Sequence, residues 1–338
     1  MKTLIKKVVS GQNLTFDEAK EAMSQMLGGG ATHAQIASFL TALMIKGETL
    51  DEIVGCATVM REKASHVSPK GRPNYVDLVG TGGDGTFTFN ISTTAAFAAA
   101  GAGCNIAKHG NRSISSKSGA IDVLEKLGIN VMLEADQVEK CIEENGIGFM
   151  FAQLMHKSMK DVGIVRRELG IRTIFNILGP LSNPSWAEGM VVGVFSKELV
   201  DPFSKAMKIM GVKNALIMHS EDGMDELSTS SDTLVAEIKD GEITMYTITP
   251  EQFGFKRSDI SDLKGGDAEY NKNITLSILK GEERGPKRDI VLLNAGGALY
   301  VGKVASSIQE GIKLAAESID SGAAYKTLEA VKAFTNNV

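Results

Sequence analysis

The stretch "GTGGDGTFTFNISTT" at residues 80–94 decides how this chain is organised. An apolar run, "YVDLV", precedes it and an alanine-rich run, "AAFAAAGAG", follows it, so the predicted order is strand, glycine loop and helix. Glycines let backbone N–H groups point into one space, and Asn90, Ser92 and Thr93 lie at or near the helix start, where N–H groups are free. The stretch matches neither common phosphate-loop motif, yet this pattern indicates an anion site.

Short apolar runs continue to alternate with helical stretches after this loop. The predicted strands cover residues 75–79, 105–108, 148–152, 190–195 and 215–219. Such alternation is typical of an α/β domain whose central sheet is mostly parallel and flanked by helices. Further on, "VAEIKDGEITMYTI" predicts a β-hairpin that turns at Asp240-Gly241, and the C-terminus predicts two helices split near Ser321-Gly322.

Residues 1–66, by contrast, predict helices only. Three helix starts carry a capping box, in which a threonine is followed three residues later by Glu or Gln: Thr15 with Glu18, Thr32 with Gln35, and Thr49 with Glu52. We therefore expect a small all-helical domain over residues 1–70, joined by a helical segment near 165–184, and an α/β domain over 71–338. A bundle of this size buries little area, so its apolar faces should pack on the rest of the chain or on a second subunit.

Bulk composition excludes several classes of protein. The chain has 338 residues and a net charge of -5, which argues against a broad nucleic-acid surface. Its three cysteines are far apart and suit a reducing compartment. The N-terminus does not read as a signal peptide, and no apolar run is long enough for a membrane span. We expect a cytoplasmic protein that binds neither nucleic acid nor membrane.

A second loop, "KHGNRSISSKSG" at residues 108–119, also follows a strand and precedes a helix. It concentrates Lys108, His109, Arg112 and Lys117 with four serines. Cations and short hydroxyl donors on flexible backbone suit a polyphosphate. A solvated basic loop is the alternative, but the carboxyl ends of successive parallel strands line one crevice, which would bring the two loops together.

Two further stretches carry candidate ligand groups. In "HSEDGMDELSTSS" (219–231) Asp225 and Glu226 are adjacent carboxylates that could hold Mg²⁺ with substrate oxygens, and Asp222 is a weaker candidate. In "VRRELG" (165–170) Arg166 and Arg167 would point about 100° apart on a helix, so one can face a site and grip a carboxylate. Taken alone, the Asp-Glu pair favours plain solvation, whereas a surface arginine and a ligand-binding arginine are equally compatible with the second pattern.

Taken together, four stretches resemble the anthranilate phosphoribosyltransferase family of tryptophan biosynthesis. They are "GTGGDGTFTFNIST", "KHGNRSISSKSG", "RTIFNILGPLSNP" and "DGMDELS", in the family's order along essentially the whole chain. The resemblance implies a small helical domain beside an α/β domain, and a homodimer formed through the helical domain. It also implies Mg²⁺-dependent transfer of phosphoribose from 5-phosphoribosyl 1-pyrophosphate (PRPP) to the amine of anthranilate, with release of pyrophosphate.

The resemblance also implies a role for individual residues. Lys108, Arg166, Asp225 and Glu226 would be catalytic, and Ser92, Asp225 and Glu226 would bind Mg²⁺. Anthranilate would contact Gly80, Asn111, His156 and Arg166. PRPP would contact Gly80, Gly83, Asp84, Thr88, Asn90, Ile91, Ser92, Thr93, Lys108, His109, Gly110, Asn111, Arg112, Ser113, Ile114, Ser115, Ser116 and Ala120.

Some positions depart from the family pattern and leave alternatives open. Ala120 replaces a serine in "SGSADVLE", and the run "FAQLMHKSMK" brings Gln153, Lys157 and Ser158 to a segment that borders the family's acceptor channel. Transfer to another aromatic amine therefore stays open. A pyrimidine nucleoside phosphorylase of the same fold needs one phosphate and no carboxylate pair, and a nucleic-acid-binding paralogue needs a basic groove.

Overall fold

The computed structural model describes residues 1–113 and 117–338. Its helices agree with the predicted division into a helical start and an alternating remainder. They are α1 (Lys2–Val9), α2 (Phe16–Leu27), α3 (His33–Lys46), α4 (Leu50–Glu62), α5 (Ile91–Gly101), α6 (Ala120–Lys126), α7 (Ala135–Asn145), α8 (Ala152–Met155), α9 (Lys160–Leu169), α10 (Phe175–Leu181), α11 (Val200–Ile209), α12 (Ala268–Leu279), α13 (Pro286–Val301), α14 (Ile308–Asp320) and α15 (Ala323–Thr335).

The three predicted capping boxes are confirmed. At the starts of α2, α3 and α4 the threonine side chain accepts from the backbone of the third helical residue. In return, the Glu or Gln side chain accepts from the threonine N–H. Each box satisfies two donors that the helix itself leaves open, so these caps fix where the helices begin.

The described strands form one seven-stranded sheet in the order β3-β2-β1-β4-β5-β6-β7. The first five strands run parallel, and β6 and β7 complete the sheet as an antiparallel hairpin. The strands are β1 (Val76–Gly80), β2 (Ile106–Gly110), β3 (Ile147–Phe151), β4 (Gly189–Gly193), β5 (Asn214–Ser220), β6 (Thr233–Lys239) and β7 (Glu242–Ile248).

The predicted hairpin turn is confirmed, because Asp240 and Gly241 both have positive φ, at 48° and 83°. Two successive positive φ values give the turn whose twist matches the paired strands. The C-terminal helices α14 and α15 are likewise separated at Ser321 and Gly322.

Helices cover both faces of the sheet. Along β4, Val191 belongs to the core beneath α5 and α13, whereas Met190 and Val192 belong to the core on the opposite face. Successive strand residues point to opposite faces, so a central parallel strand must be apolar on both. This burial explains why the strand sequences are continuous apolar runs.

The second of these cores also contains the N-terminal helices. Met23 and Phe39, which are fully buried, share it with Val165 of α9 and Phe175 of α10. The helical start thus packs on the rest of the chain, as its small size led us to expect. The boundary near residue 70 and the joining role of 165–184 stay predictions. Across residues 1–113 and 117–338, no helix combines the length and apolarity that a membrane crossing requires.

Candidate active site

The crevice between the carboxyl ends of β1 and β4 is where the strand order reverses. Sequence order runs from β1 outward to β2 and β3, and then returns to the other side of β1 with β4. Ligands of open parallel sheets bind at such a switch point. Gly80 and Gly193 are paired there as the last residues of the two strands.

Asp225 packs directly over these two glycines. A Cβ built on Gly80 would lie 2.8 Å from Cγ of Asp225 and nearer still to its carboxylate oxygen. A Cβ on Gly193 would lie 2.7 Å from Cα of Asp225 and would overlap its backbone carbonyl. The 219–231 loop can pack this closely against the strand ends only if both positions are glycine.

The Asp225 and Glu226 carboxyl groups share a crowded, half-buried environment. Burial and then the charge of Asp84 raise the pKa of Asp225, although the Gly82 N–H donates to its Oδ2 at 2.8 Å. Burial and then the charge of Asp225 raise the pKa of Glu226, while Lys108 and the Ser92 backbone N–H lower it. The fold therefore disfavours ionisation of the pair, and a bound cation would lower both pKa values and stabilise the ionised carboxylates.

These oxygen groups suit Mg²⁺, which prefers carboxylate, hydroxyl and phosphate oxygens. Ser92 lies at the start of α5 close to Glu226, and its place in the metal set stays a prediction. Among residues 1–113 and 117–338, no three His, Cys, Asp or Glu side chains are grouped to hold a metal by themselves. A cation here would need substrate oxygens to complete its coordination.

Lys108 lies in β2 beside this pair and is almost wholly buried. Its Nζ donates to the Leu78 carbonyl and to Ser92 Oγ, the latter at 3.2 Å. Burial lowers the pKa of the ammonium group, and the charges of Asp77, Glu226 and Asp225 act against that shift. Its surroundings thus include three carboxyl groups.

Asp77 is a buried carboxyl group that sequence reasoning missed. It lies inside β1, accepts from the His109 N–H at 3.1 Å and from Asn183 Nδ2 at 2.7 Å. Asn183 also donates to the Ala107 carbonyl at 3.0 Å, so "LSNP" fastens β1 to β2 beneath the site. Burial raises the pKa of Asp77 to about 6, against the opposing charge of Lys108. A lone acid in an apolar run gives no sequence signal for this role.

The first loop places its predicted residues around the start of α5. Ile91, Ser92 and Thr93 are its first three helical residues, and Asn90 occupies the capping position. Although Asn is a common capping residue, the Asn90 side chain makes no cap hydrogen bond to α5. Its amide instead donates to the Ser118 carbonyl of the second loop at 3.2 Å. Capping depends only on local backbone, and here a tertiary partner competes for the side chain.

The glycine-rich part of the first loop is held by contacts within the loop and by two residues from outside it, Arg172 and Lys264. Arg172 donates to the Gly83 carbonyl at 2.5 Å and stacks over Phe195. The Asp84 side chain accepts from both the backbone N–H and the hydroxyl of Thr86. Thr88 forms an isolated bridge with Lys264, whose Nζ donates to the Thr86 carbonyl. Arg172 is therefore a further loop contact, which its spacing from Arg166 alone did not indicate.

The second loop is bonded to the helix that follows it, α6. Arg112 forms ion pairs with Asp122 and Glu125, whose hydrogen bonds raise its pKa, so its guanidinium is directed toward α6 in this structure. The Ser113 N–H donates to Asp122 at 3.0 Å, and Asn111 is exposed. A Cβ on Gly110 would lie 3.2 Å from Cβ of Ala120. Three predicted contacts, Ile114, Ser115 and Ser116, lie outside the described residues.

Helix α10 lies against the candidate acceptor residues, through Gly179 near His109 and Phe175 near Arg166. The imidazoles of His109 and His156 are buried 5.1 Å apart, and neither Nε2 has a hydrogen-bond partner within the described chain. Burial lowers the pKa of His109 to about 3 and that of His156 to about 4, against hydrogen bonds to the Gly179 and Ser182 carbonyls. Both rings are therefore neutral at pH 7.

Arg166 and Arg167 diverge as predicted. Arg166 is half-buried with its guanidinium 5.3 Å from the Phe175 ring, whereas Arg167 is exposed. Burial lowers the pKa of Arg166, and no described carboxylate pairs with it. A partly buried cation without a counterion suits an anionic ligand.

Asp222 is not part of this arrangement. Its carboxylate accepts from the Met224 N–H and from the hydroxyls of Ser228 and Ser230, so it organises its own loop.

Comparison with known proteins agrees with this geometry. Residues 2–64 match the helical bundle domain, and residues 72–325 the a/b domain, of a glycosyl transferase family. Anthranilate phosphoribosyltransferase of Acetivibrio thermocellus is 53% identical over 100% of this chain and 97% of its own. The enzyme of that name from Thermus thermophilus has a TM-score of 0.93 and 42% identity, with 98% of this chain and 99% of the other covered.

A third relative carries ligands. Anthranilate phosphoribosyltransferase from Saccharomyces cerevisiae, in complex with PRPP and Mg, has a TM-score of 0.92 and 30% identity, with 99% of this chain and 98% of the other covered. These likenesses span the chain from end to end and include both domains. The chain belongs to the anthranilate phosphoribosyltransferase family.

Proposed function

We propose that this chain transfers the phosphoribosyl group of PRPP to the amine of anthranilate in a Mg²⁺-dependent reaction that releases pyrophosphate. The observation that supports this most strongly is the position of Asp225, Glu226 and Lys108 together at the β1–β4 switch point. The two carboxyl groups, whose pKa values are raised, form a subsite for a divalent cation. The buried ammonium group beside them forms a subsite for phosphate oxygens.

The donor would lie between the two loops. The first loop offers the N–H groups of its glycines and of the first turn of α5, which favour phosphate. Lys108 would contact oxygens of the departing pyrophosphate. Ser92, Asp225 and Glu226 would hold Mg²⁺, which when bound neutralises charge on that leaving group. Asp84, which raises the pKa of both carboxyl groups, would orient water or cation from the outer side.

The acceptor would lie against α10. Arg166 would bind the anthranilate carboxylate and so point the amine toward the sugar. His109 and His156, held neutral by burial, present unpaired ring nitrogens that would contact the amine or carboxylate. An arylamine is neutral at pH 7 and already carries its lone pair, so the first step needs no general base.

In the step itself the amine nitrogen forms a bond to C1 of the ribose while the bond from C1 to the pyrophosphate oxygen breaks. Positive charge develops on the sugar and negative charge on the leaving oxygens. The chain contributes by holding both reactants in line and by stabilising the leaving group, which are the main sources of rate in such displacements. The nitrogen then loses its acidic proton to water.

A fluorescence assay tests the proposal. Purified protein with PRPP, Mg²⁺ and anthranilate should remove anthranilate fluorescence, and omission of PRPP or Mg²⁺ should prevent this. Aniline, which lacks the carboxylate, is the matched control for acceptor choice, and uridine or thymidine with phosphate tests nucleoside phosphorolysis. Turnover of a nucleoside, or of aniline as well as anthranilate, would overturn the proposal.

The proposal also includes a homodimer through the helical start. Val9 and Ile45 are exposed there, at 66% and 75% of their surfaces. Large apolar side chains left exposed on the bundle support a second copy as their cover. Sedimentation of wild type and of Ile45→Glu checks this, and a monomeric wild type would contradict it.

A further inference from the structure

The two ligand loops are joined by the Asn90 side chain. Asn90 Nδ2 donates to the Ser118 carbonyl at 3.2 Å, and Asn90 Oδ1 accepts from Ser118 Oγ at 3.2 Å. Asn90 ends the first loop and Ser118 ends the second, so this contact sets the distance between the two loops. The first of these bonds can form only if the amide nitrogen of Asn90 faces the Ser118 carbonyl.

A third segment, residues 263–271, determines that orientation. Asn271 lies in the first turns of α12 and is 1% exposed. Its Oδ1 accepts from the Gly266 N–H at 2.8 Å, and its Nδ2 donates to Asn90 Oδ1 at 3.0 Å. Both ends of this hydrogen-bond chain are backbone groups of fixed polarity, a donor at Gly266 and an acceptor at Ser118. Neither amide can therefore be reversed without losing a bond.

The same segment lies close to the first loop along its backbone. The Gly265 N–H donates to the Phe87 carbonyl at 2.9 Å, and the Phe89 N–H donates to the Leu263 carbonyl at 3.2 Å. A Cβ on Gly265 would lie 2.7 Å from the Phe89 backbone and from Asn271 Oδ1, so glycine is required for this approach. One helical turn beyond Asn271, Thr275 and Thr94 join α12 to α5 through their hydroxyls, 2.9 Å apart.

We propose that Asn271 is a positioning residue for the donor site: it orients the Asn90 amide and thereby holds the two PRPP loops in register. The inference rests on the proposed function, since it assigns the distance between the loops to PRPP binding. Asn271 touches no reacting atom in this assignment and acts only through Asn90. Asn271 takes no part in anthranilate binding, because its contacts lie on the side of α5 that faces α12.

Two variants test the assignment. Asn271→Asp keeps the acceptor for Gly266 and replaces the donor with an oxygen that faces Asn90 Oδ1. Asn271→Ala removes both the donor to Asn90 and the acceptor for Gly266, and introduces no buried charge. Each should raise KM for PRPP roughly fivefold to tenfold, the equivalent of one hydrogen bond, and leave KM for anthranilate within about twofold. Thr275→Val is the matched control, since it deletes the neighbouring α12–α5 hydrogen bond and keeps the Asn271 chain.

A double-mutant comparison distinguishes positioning from general stability. In the Asn90→Ala background, Asn271→Ala should cause no further rise in KM for PRPP, because the residue through which it acts is gone. Additive effects, or an equal rise in Thr275→Val at matched Tm, would overturn the inference. A wild type that neither binds nor turns over PRPP in calorimetry and the fluorescence assay would instead overturn the proposed function.

Discussion

Gly80 and Gly193 are paired at the ends of neighbouring parallel strands, and the backbone and carboxylate of Asp225 occupy the space above both. This relationship links the sheet to the chemistry. Because both residues at the switch point are glycine, the 219–231 loop can approach closely. It thereby brings the Asp225 and Glu226 carboxyl groups to the place where both ligand loops begin. The position of the carboxyl groups thus depends on the close approach of the loop backbone to the two strand ends.

Substitution at Gly193 should damage the donor site selectively. Gly193→Ala places a methyl group against the backbone of Asp225, which cannot move as a flexible side-chain end could. Overpacking of this kind costs about 1–3 kcal/mol, so we expect affinity for PRPP to fall by roughly tenfold to a hundredfold. Initial rates at varied PRPP and Mg²⁺ measure this.

The control for that variant is Gly163→Ala. A Cβ at Gly163 of α9 meets nothing within 4 Å, so its donor constants should stay at the wild-type values. If Gly193→Ala also behaves as wild type, Asp225 is not held by this contact.

The carboxylate pair should govern the Mg²⁺ requirement. Asp225→Asn with Glu226→Gln removes both charges and nearly preserves shape. Removal of outer-shell partners alone weakens metal sites by roughly tenfold to a hundredfold, so loss of the pair itself should shift half-saturating Mg²⁺ by at least tenfold. The Mg²⁺ profile of the initial rate checks it. Asp222→Asn is the control, because its carboxylate bonds only within its own loop.

Stability of the metal-free protein should fall as pH rises toward 8. Burial raises the pKa of Asp225 to about 7 and that of Glu226 to about 8; the charge of Asp84 adds to the first shift and that of Asp225 to the second. Between their unfolded values near 4 and these folded values, the folded state binds more protons than the unfolded state. The free energy of unfolding therefore decreases with pH over that window.

Tm measured in EDTA from pH 5 to pH 9 checks this, with the Asp225→Asn, Glu226→Gln double variant beside it. The variant should gain stability relative to wild type as pH rises, and added Mg²⁺ should stabilise wild type more at pH 8 than at pH 6. Parallel curves for the two proteins would show that the pair stays ionised in the fold.

Arg166 should contribute to anthranilate binding and not to PRPP binding. It is the half-buried member of an adjacent arginine pair, with no described counterion. Hydrogen bonds to a charged group contribute about 1.5–3 kcal/mol, so Arg166→Ala should raise KM for anthranilate by roughly tenfold to a hundredfold and leave KM for PRPP nearly unchanged. Arg167→Ala, on the exposed face, should match wild type. Equal damage to both substrates by Arg166→Ala would remove its carboxylate role.

Much of the fold could be predicted because its signals are local. The three capping boxes, the Asp240-Gly241 turn and the apolar strand runs each depend on a few neighbouring residues, and all are confirmed. The small-domain-plus-α/β architecture follows from that alternation.

The parts that were missed depend on distant partners. Gly193 matters because of Asp225, and Asp77 because of Asn183. The Asn90 side chain is drawn away from its helix by Ser118 and Asn271. No local pattern encodes these pairs, since each joins segments that meet only after the sheet has formed.

The most direct test is a crystal of this chain grown with PRPP and Mn²⁺, the latter used in place of Mg²⁺ for its anomalous signal. We predict an anomalous peak about 2.1 Å from oxygens of Asp225 or Glu226, with the pyrophosphate between the two loops and within hydrogen-bond distance of Lys108 Nζ. A pyrophosphate bound away from the ends of β1 and β4, or a cation that touches neither carboxylate, would contradict the account.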